Sequence, residues 1–258
     1  MLIMTCNIRC YGGNDGEDHW SHRKDFCAEI IRSRTPDLIC FQEMWAEQFA
    51  DMKPAFPEFD SYGMIDEPQT FYPMNTIFYR RDAFDLLSAG GYWLSETPHV
   101  TGSKSWDSAC VRLANWLRLK ERASGKEFRV VNTHLDHRGQ VARENQARII
   151  CEDAVAYPEH YPQILTGDLN CDTHNAAIGV LKDRGWVDTY GTVHGTEAPG
   201  FTYHAFDGPA FAEKSRVDKM DWVFVRGAVR VTRAEIIDDA QDGRFPSDHY
   251  FVSGDIDI

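Results

Sequence analysis

The side chains that could do chemistry in this sequence are concentrated in six short stretches, each at the border of an apolar run. One such border carrying Asp, Glu, Asn or His is typical of a solvated turn. Six of them favour a shared site, because strand ends are where a rigid scaffold meets solvent and functional groups collect. The stretches are TCNIR (5–9), CFQE (40–43), VNTHLDH (131–137), LTGDLN (165–170), KMDWVF (219–224) and FPSDHY (245–250).

Carboxylate and amide oxygens in these stretches form a candidate metal site. Asn7, Glu43, Asp168 and Asp248 offer hard oxygen ligands, which suit Mg²⁺ or Mn²⁺ rather than zinc. Mg²⁺ keeps several waters and takes one or two protein carboxylates, while a substrate phosphate completes its shell. Isolated acids at several strand ends match this requirement. Any one of them alone is more typical of a charge on a loop.

Two histidines add the capacity for acid–base chemistry or phosphate binding. An imidazole can donate to a phosphoryl oxygen, and a carboxylate that orients its other nitrogen increases its charge. Asp136 and His137 follow His134 closely, and Asp248 directly precedes His249. Because a single histidine at a strand end is more often structural, this prediction depends on the whole set of residues.

Apolar periodicity predicts the strands and helices that position these stretches. We expect strands over 2–8, 37–43, 76–81, 111–120, 128–135, 162–170, 221–225 and 250–258, and helices over 22–34, 139–157 and 175–185. Ser21 is the expected cap of the first helix, and Val141, Ile149, Ile150 and Val155 are expected on the apolar face of the second. No repeat or linker interrupts this pattern, which predicts a single mixed α/β domain over residues 1–258.

The charge balance bears on the partners of the protein. The 258 residues include 27 basic and 40 acidic side chains, a formal net charge of −13. Proteins that bind duplex nucleic acid normally carry a basic footprint, because counterion release from phosphates drives the binding. No Lys/Arg-rich run exists here, so duplex DNA is not an expected partner, whereas a local basic pocket is compatible with the composition.

Cysteine usage and apolar runs indicate the compartment. The seven cysteines are scattered and include no C-x-x-C pair, which is typical of free thiols in a reducing environment. The N-terminal MLIMTCNIRC has no charged leader region and no apolar run reaches the length of a membrane span. We therefore expect a cytoplasmic monomer without a transmembrane segment, with a removed leader as the open alternative.

The motifs TCNIR, FQE, NTHLDH, GDLN, MDWVF and SDHY, in this order, resemble the endonuclease/exonuclease/phosphatase superfamily of divalent-metal-dependent phosphoesterases. GDLN alone is a weak signal, but its combination with the preceding N and QE and the terminal SDH is specific. The resemblance extends over residues 3–252, and GYWLSETP and GSKSWD are similar to a bacterial branch of the superfamily. It implies a DNase I-like α/β fold, a four-layer α/β/β/α sandwich of two mixed sheets flanked by helices.

The resemblance also implies roles around a metal ion, Mg²⁺ or Mn²⁺. Glu43 is implied as the principal metal ligand, with Asn7 beside it and Asp248 near the metal. Asp168 would orient or deprotonate the attacking water. Asn170 would donate a hydrogen bond to a phosphoryl oxygen.

Further implied roles concern the substrate phosphate. His249, polarised by Asp221, would contact the phosphate, and His134 would donate to the phosphate or the leaving group. Either Asp168 or the Asp221–His249 pair can act as the base, and the sequence leaves both open. Four further residues are predicted to line the substrate side of the cleft: Asp136, His137, Arg112 and Trp93.

Two positions depart from the pattern of the superfamily. Many relatives carry a glutamate that supports the first histidine, but the corresponding FYPMNTIFYR contains no acid. Tyr72 or Asn75 is the expected substitute. The Lys-Met-Asp at 219–221 stands where many relatives have Arg-x-Asp, while Asp221 keeps its place.

Charge balance and the resemblance together predict a phosphoesterase that acts on a small sugar- or lipid-linked phosphate mono- or diester. A nuclease or deadenylase-like enzyme acting on single-stranded nucleic acid is the alternative. A catalytically silent binding module is the third hypothesis, and the intact set of acids and histidines argues against it.

Overall fold

The computed structural model describes residues 1–65, 74–215 and 218–258. Tyr72, one of the two candidates for the missing acid, lies outside these ranges. The strands are β1 (Leu2–Asn7), β2 (Leu38–Gln42), β3 (Phe59–Tyr62), β4 (Ile77–Arg80), β5 (Phe84–Trp93), β6 (Leu113–Glu121), β7 (Glu127–His134), β8 (Gln163–Asp168), β9 (Val187–Asp188), β10 (Asp221–Arg226), β11 (Arg230–Ile237) and β12 (Phe251–Asp257). The α-helices are α1 (Trp20–Ser33), α2 (Ala46–Ala55), α3 (Gln140–Ala154), α4 (Ala176–Asp183), α5 (Thr189–His194) and α6 (Pro209–Lys214).

The strands form two six-stranded mixed sheets, in the orders β11-β12-β1-β2-β4-β3 and β5-β6-β7-β8-β10-β9. Within the described ranges, each sheet has one parallel pair, β1 with β2 and β7 with β8. The carboxyl ends of a parallel pair lie at the same edge of a sheet. The topology therefore brings the ends of four strands, with the polar residues that follow them, to one end of the molecule.

Three apolar layers hold the sheets and helices together. One core packs between the sheets and includes Ile3, Val130 and Ile164. The helices α1 and α2 cover the outer face of the first sheet, and α3 and α4 cover that of the second. The expected four-layer α/β/β/α sandwich is confirmed. Over the described ranges, none of the helices combines the length and apolar character that crossing a bilayer requires.

Two local expectations are wrong. Helix α1 begins at Trp20, and its cap is His19, whose ring accepts from the Ser21 N–H, so Ser21 lies inside the first turn. On α3, Val141 and Val155 are 54% and 53% exposed. The buried face of α3 consists largely of small residues, which bring the helix close to the sheet: Ala142, Ala147, Cys151 and Ala154, with Ile150.

Side chains that point between the sheets change character along the strands. Towards the site, the apolar core gives way to a fully buried polar network of Thr5, Gln42, Asn132 and Thr166, in which Gln42 Nε2 donates to Asn132 Oδ1 over 2.6 Å. In three of these strands, the side chain two residues further along the chain lies at the site: Asn7, His134 and Asp168. This order follows from the two-residue period of a strand, which keeps residues i and i+2 on one face.

Two of the six polar stretches precede their strands instead of following them. Asp221 opens β10, and the residues 245–250 lead into β12. Because β10 runs antiparallel to β8 and β12 runs antiparallel to β1, the beginnings of these strands lie beside the ends of their neighbours. All six stretches thus meet at one end of the sandwich, and Asp221 is the direct strand partner of Asp168.

Candidate active site

A cavity of about 490 Å³ opens at this end of the sandwich. Its floor contains acids and histidines, and its walls contain cationic, aromatic and sulfur-bearing side chains. The lining residues are Arg9, Cys10, Glu43, Trp45, Met74, Cys110, Arg112, His134, His137, Asp168, Asn170, Tyr203, Met220, Asp248 and His249.

The backbone is strained where it delivers two of the predicted site residues. Glu43 has φ +60° and Asn170 has φ +48°, a left-handed conformation that residues with a Cβ adopt infrequently. Glu43 comes directly after β2, and Asn170 comes two residues after the end of β8. The left-handed conformation turns the chain sharply at each position and aims the side chain into the cavity. Such positions persist only where the surrounding structure holds them, and they are concentrated at functional sites.

Gly167 allows the neighbouring parallel strand to approach closely. Its φ is +153°, and a Cβ at this position would lie 2.1 Å from the Thr133 carbonyl oxygen. This close packing of β8 against β7 brings Asp168 beside His134, whose Nε2 lies 3.4 Å from Asp168 Oδ2. Any larger residue at Gly167 would separate these two side chains.

Glu43 is an ionised carboxylate held in place by two hydrogen bonds. The Cys10 N–H donates to Glu43 Oε2 over 2.9 Å, and Asn7 Nδ2 donates to Oε1 over 3.2 Å. Burial acts to raise the pKa of Glu43, but the Cys10 N–H, the charge of His249 and the Asn7 amide outweigh it and lower that pKa below its ordinary value. Glu43 therefore carries a negative charge on the floor of the cavity.

Asp168 lies at the centre of the cluster. Asn7 Nδ2 donates to its Oδ2 over 2.9 Å, and the Asn170 N–H donates to its Oδ1 over 2.9 Å. Burial and the nearby charge of Asp221 raise the pKa of Asp168 to about 7. A carboxylate with this pKa can accept a proton near neutral pH.

The arrangement of acids fits a hard divalent cation. Oxygens of Glu43 and Asp168 lie within 4.8 Å of each other and of a His134 nitrogen. Burial raises the pKa of Asp248 as well as that of Asp168, and the charge of the nearby Glu43 raises both further. A bound cation would offset this repulsion between carboxylates. Asn7 differs from the other predicted ligands, because its Oδ1 accepts from the Arg9 N–H and its nitrogen faces the carboxylates.

His249 and Asp221 form a buried charged pair. His249 Nδ1 donates to Asp221 Oδ2 over 2.8 Å, and its Nε2 lies 3.8 Å from Asp168 Oδ2. Burial acts to lower the pKa of His249, but the charges of Asp221 and Asp168 outweigh it and raise that pKa well above its ordinary value. His249 is therefore an imidazolium, a donor rather than a base, in the metal-free protein. The Tyr203 ring packs on it with a centroid distance of 5.0 Å.

His134 has the opposite character. Burial, together with the charges of Arg112 and His249, holds its pKa well below the ordinary value. The Asn170 amide nitrogen donates to His134 Nε2 over 2.9 Å and to the Leu135 carbonyl over 3.0 Å. Within the described residues, His134 Nδ1 has no hydrogen-bond partner. Asn75 does not supply the missing support, since its Nδ2 donates to the Leu113 carbonyl instead.

Two predicted substrate contacts lie outside the cavity. Asp136 is fully buried, and its oxygens accept from the N–H groups of Ala109, Cys110, Arg138 and Gly139 and from Ser108 Oγ. It therefore holds the loop at 108–110 against the loop at 136–139. This role depends on a contact between distant segments, which the sequence does not show. Trp93 is 6% exposed at the end of β5 and does not line the cavity. Neither side chain lines the described cavity, so their contact with a substrate stays a prediction.

Arg112 and His137 do lie on the cavity wall, as predicted. Arg112 is 8% exposed, and its Nη2 lies 3.3 Å from His137 Nδ1. Its Nε has no hydrogen-bond partner in the described part of the chain, and the Asp136 carboxylate lies 3.9 Å away. The wall thus contains a guanidinium that is nearly buried and lines the cavity.

Sequence reasoning missed Arg9, Trp45 and Tyr203. Arg9 binds Asp15 through two hydrogen bonds of 3.0 and 2.9 Å, and its Nε lies 3.8 Å from Asp248. Trp45 follows Glu43 by two residues, and Tyr203 forms a bridge with His249 in a segment that showed no apolar period. Arg9 ends the recognised stretch TCNIR and Trp45 closely follows CFQE, so both could have been inferred, whereas Tyr203 carried no local signal.

The layered sandwich and its acid–histidine cavity are those of a phosphoesterase of the DNase I-like class. A family model described as the Endonuclease/Exonuclease/phosphatase family matches residues 4–249 of the chain. The chain belongs to this family, whose members are hydrolases acting on phosphate esters.

Solved structures of bacterial relatives agree over the whole chain. An endonuclease/exonuclease/phosphatase protein of Bacteroides vulgatus is 30% identical, covers 100% of this chain and 98% of its own, and superposes with a TM-score of 0.90. A mannosyl-6-phosphatase of Bacteroides thetaiotaomicron is also 30% identical, with a TM-score of 0.88 and complete coverage of both chains (100%). Nocturnin of Drosophila melanogaster is 29% identical over 167 residues, 59% of this chain, which spans only 24% of that protein.

Proposed function

We propose that this protein is a divalent-metal-dependent phosphatase that hydrolyses a phosphate ester of a small, sugar-linked substrate by in-line attack of water. One observation carries the proposal. A bounded cavity joins an ionised Glu43, a proton-accepting Asp168 and a charged His249 on its floor with the buried Arg112 on its wall. These are the parts that phosphate ester hydrolysis requires: a cation site, a base and donors to the phosphoryl oxygens.

Glu43 and Asp248 would hold the metal, Mg²⁺ or Mn²⁺. Both are carboxylates on the floor of the cavity, and Asn7 lies between Glu43 and Asp168. When bound, the ion supplies Lewis-acid stabilisation of charge on the transferring phosphoryl group.

The remaining side chains carry out proton transfer and donate hydrogen bonds to the phosphoryl group. Asp168 orients the attacking water and accepts its proton, because its pKa of about 7 allows both states near neutral pH. His249, charged through Asp221, donates to a phosphoryl oxygen. A dianionic phosphate beside His134 favours the protonated imidazole, whose Nε2 then donates to the phosphate or leaving group. The Asn170 amide nitrogen that donates to His134 Nε2 would instead donate to a phosphoryl oxygen of a bound substrate.

Size and charge favour a small monoester. A cavity of about 490 Å³ is within the range of small-molecule sites and fits a phosphorylated sugar. The extra positive charge of Arg112 suits a terminal phosphate, which carries up to two charges, better than a diester, which carries one. The 30% identical relative is described as a mannosyl-6-phosphatase, which supports a sugar phosphate as the first substrate to assay.

A phosphodiesterase acting on single-stranded nucleic acid is the second candidate. Trp45 and Tyr203 on the cavity wall favour it, because aromatic side chains can stack on bases. The net charge of −13 argues against a long polyanion. A sugar ring can use the same aromatic faces.

The proposal is tested with a panel of hexose phosphates, phosphoinositide headgroups, glycerophosphodiesters and single-stranded oligonucleotides, assayed with Mg²⁺ and with Mn²⁺. We expect release of inorganic phosphate from a hexose monophosphate, and loss of that activity after treatment with EDTA and its return with added metal. Turnover of oligonucleotides alone would reject the small-substrate proposal in favour of the second candidate.

Replacing Arg112 with Met tests whether this side chain makes the enzyme prefer phosphate monoesters over diesters. We expect kcat/KM for the best phosphomonoester to fall by about 10- to 100-fold, the worth of a charged hydrogen bond, with a smaller loss for a diester. Arg138→Met is the matched control, because Arg138 is exposed in the next loop and does not line the cavity. Equal losses for the two ester classes would contradict the assignment.

A further inference from the structure

Lys219 is a fully buried cation that none of the proposed chemical steps uses. Its Nζ donates to both carboxylate oxygens of Asp188 over 2.8 and 2.9 Å. The same ammonium lies 4.1 Å from the ring centroid of Trp222 and 4.9 Å from that of Tyr190. A lysine held by a bidentate ion pair and two aromatic rings has one defined position.

The residue next to Lys219 holds the loop that carries Asp168 and Asn170. The Met220 carbonyl accepts from the Leu169 N–H over 2.9 Å. Leu169 is the single residue between Asp168 and Asn170, so this backbone bond fixes the turn at which both side chains enter the cavity. A shift of the Met220 peptide would move them together.

The same segment is tied to the Asp221–His249 pair through Thr202. Thr202 Oγ1 accepts from the N–H groups of Met220 and Asp221 over 2.9 and 3.2 Å. The Thr202 carbonyl accepts from the Tyr250 N–H over 2.8 Å, directly after His249. Both members of the pair are thus connected to the segment that Lys219 anchors.

We propose that Lys219, through its ion pair with Asp188, is a positioning residue that sets the placement of the Asp221–His249 pair and of the Asp168–Asn170 turn. The inference rests on the proposed function for the roles of those four residues. Burying two charges is expensive, and a well-packed apolar pair at such a site often serves stability equally well. The ion pair differs from an apolar pair in its directed, bidentate geometry, which fixes the start of β10.

The chain offers a matched control in Arg129. This cation is also buried, at 1% exposure, and pairs with Asp153. It lies 5.2 Å from the ring centroid of Trp116 and 4.9 Å from that of Tyr157. Arg129 is near the opposite end of the second sheet, where β7 begins. Replacing Arg129 therefore removes a comparable buried cation, also held by one acid and two aromatic rings, at a position away from the site.

The experiment compares Lys219→Met with Arg129→Met in the full chain, using the best substrate of the panel at a temperature well below both melting points. Both variants should lower Tm, by roughly 10 °C. Only Lys219→Met should lower kcat, by about 100-fold, the loss that follows a displacement of about 1 Å, while KM changes less than about threefold. Lys219→Arg, which keeps the charge and can bind Asp188 with two donors, should recover most of kcat.

A second measurement does not depend on turnover. The proton between His249 Nδ1 and Asp221 should give a downfield resonance in the metal-free protein at a fixed neutral pH. It should shift or disappear in Lys219→Met and stay unchanged in Arg129→Met. If Lys219→Met does not fold, Asp188→Asn replaces it in both measurements.

Equal kcat values for Lys219→Met and Arg129→Met, with an unchanged downfield resonance, would overturn the inference and leave Lys219 as a stability residue. A wild-type protein that turns over no phosphate ester would instead refute the proposed function. The downfield resonance would still report on Lys219 in that case, so the two failures are distinguishable.

Discussion

Glu43→Gln should lower kcat/KM by at least ~10³-fold and weaken Mn²⁺ or Mg²⁺ binding in proportion. Glu43 is ionised because the Cys10 N–H and the Asn7 amide stabilise its negative form. Glutamine keeps the shape and can still accept from the Cys10 N–H, but it removes the charge that would attract the cation. The loss therefore reports on charge rather than on packing.

Metal titration by calorimetry, alongside steady-state kinetics, measures this effect. Glu47→Gln is the matched control, because Glu47 is an exposed glutamate four residues away in the first turn of α2. We expect the control to match the wild type in both measurements. Wild-type metal affinity in Glu43→Gln would contradict the assignment of Glu43 as principal ligand.

The part of the site that the sequence predicted is the part set by strand period and polarity. In β7, Val130, Asn132 and His134 point the same way and run from the apolar core through the polar network to the cavity. The same order holds in β8, where Ile164 and Thr166 precede Asp168. An apolar strand whose last residues are polar and share one phase of the two-residue period therefore marks a candidate site residue, and several such strands together support the assignment.

The parts that the sequence did not predict depend on contacts between distant segments. Asp136 lies two residues after His134, so the two-residue period of the strand predicts that it points into the site. Instead, three donors of the loop at 108–110 form hydrogen bonds with its carboxylate. Strand β5 was missed because it lies at a sheet edge, is only partly buried and contains glycine. A Cβ at Gly90 would lie 2.6 Å from the Trp116 ring, so this glycine serves packing that its own sequence does not indicate.

The lysine at 219 shows how a departure from a familiar motif can be interpreted once contacts are known. From the sequence it was only a substitution for arginine before Asp221. In the structure its ammonium fits between two rings and both oxygens of Asp188. The aromatic partners Trp222 and Tyr190 come from β10 and α5, so only the folded chain forms the enclosure.

Asp168→Asn should lower kcat by about 10³- to 10⁴-fold while leaving metal affinity within a few fold of the wild type. Asparagine has the size of aspartate and can still accept from the Asn170 N–H, so the turn keeps its shape. It cannot accept a proton, and it places no negative charge beside His249. Because the same substitution spares Glu43 and Asp248, it separates the proton-accepting step from metal binding.

The neighbouring Asp172→Asn is the matched control, since Asp172 lies four residues further along the same loop and does not line the cavity; its carboxylate accepts from the His174 N–H. We expect it to retain wild-type kcat. If Asp168→Asn kept kcat within tenfold while His249→Gln lost at least ~10³-fold, the Asp221–His249 pair would be the base. His249 would then have to be neutral in the metal-bound enzyme. That outcome would require the cation to offset the carboxylate charges that hold the His249 pKa high in the metal-free protein.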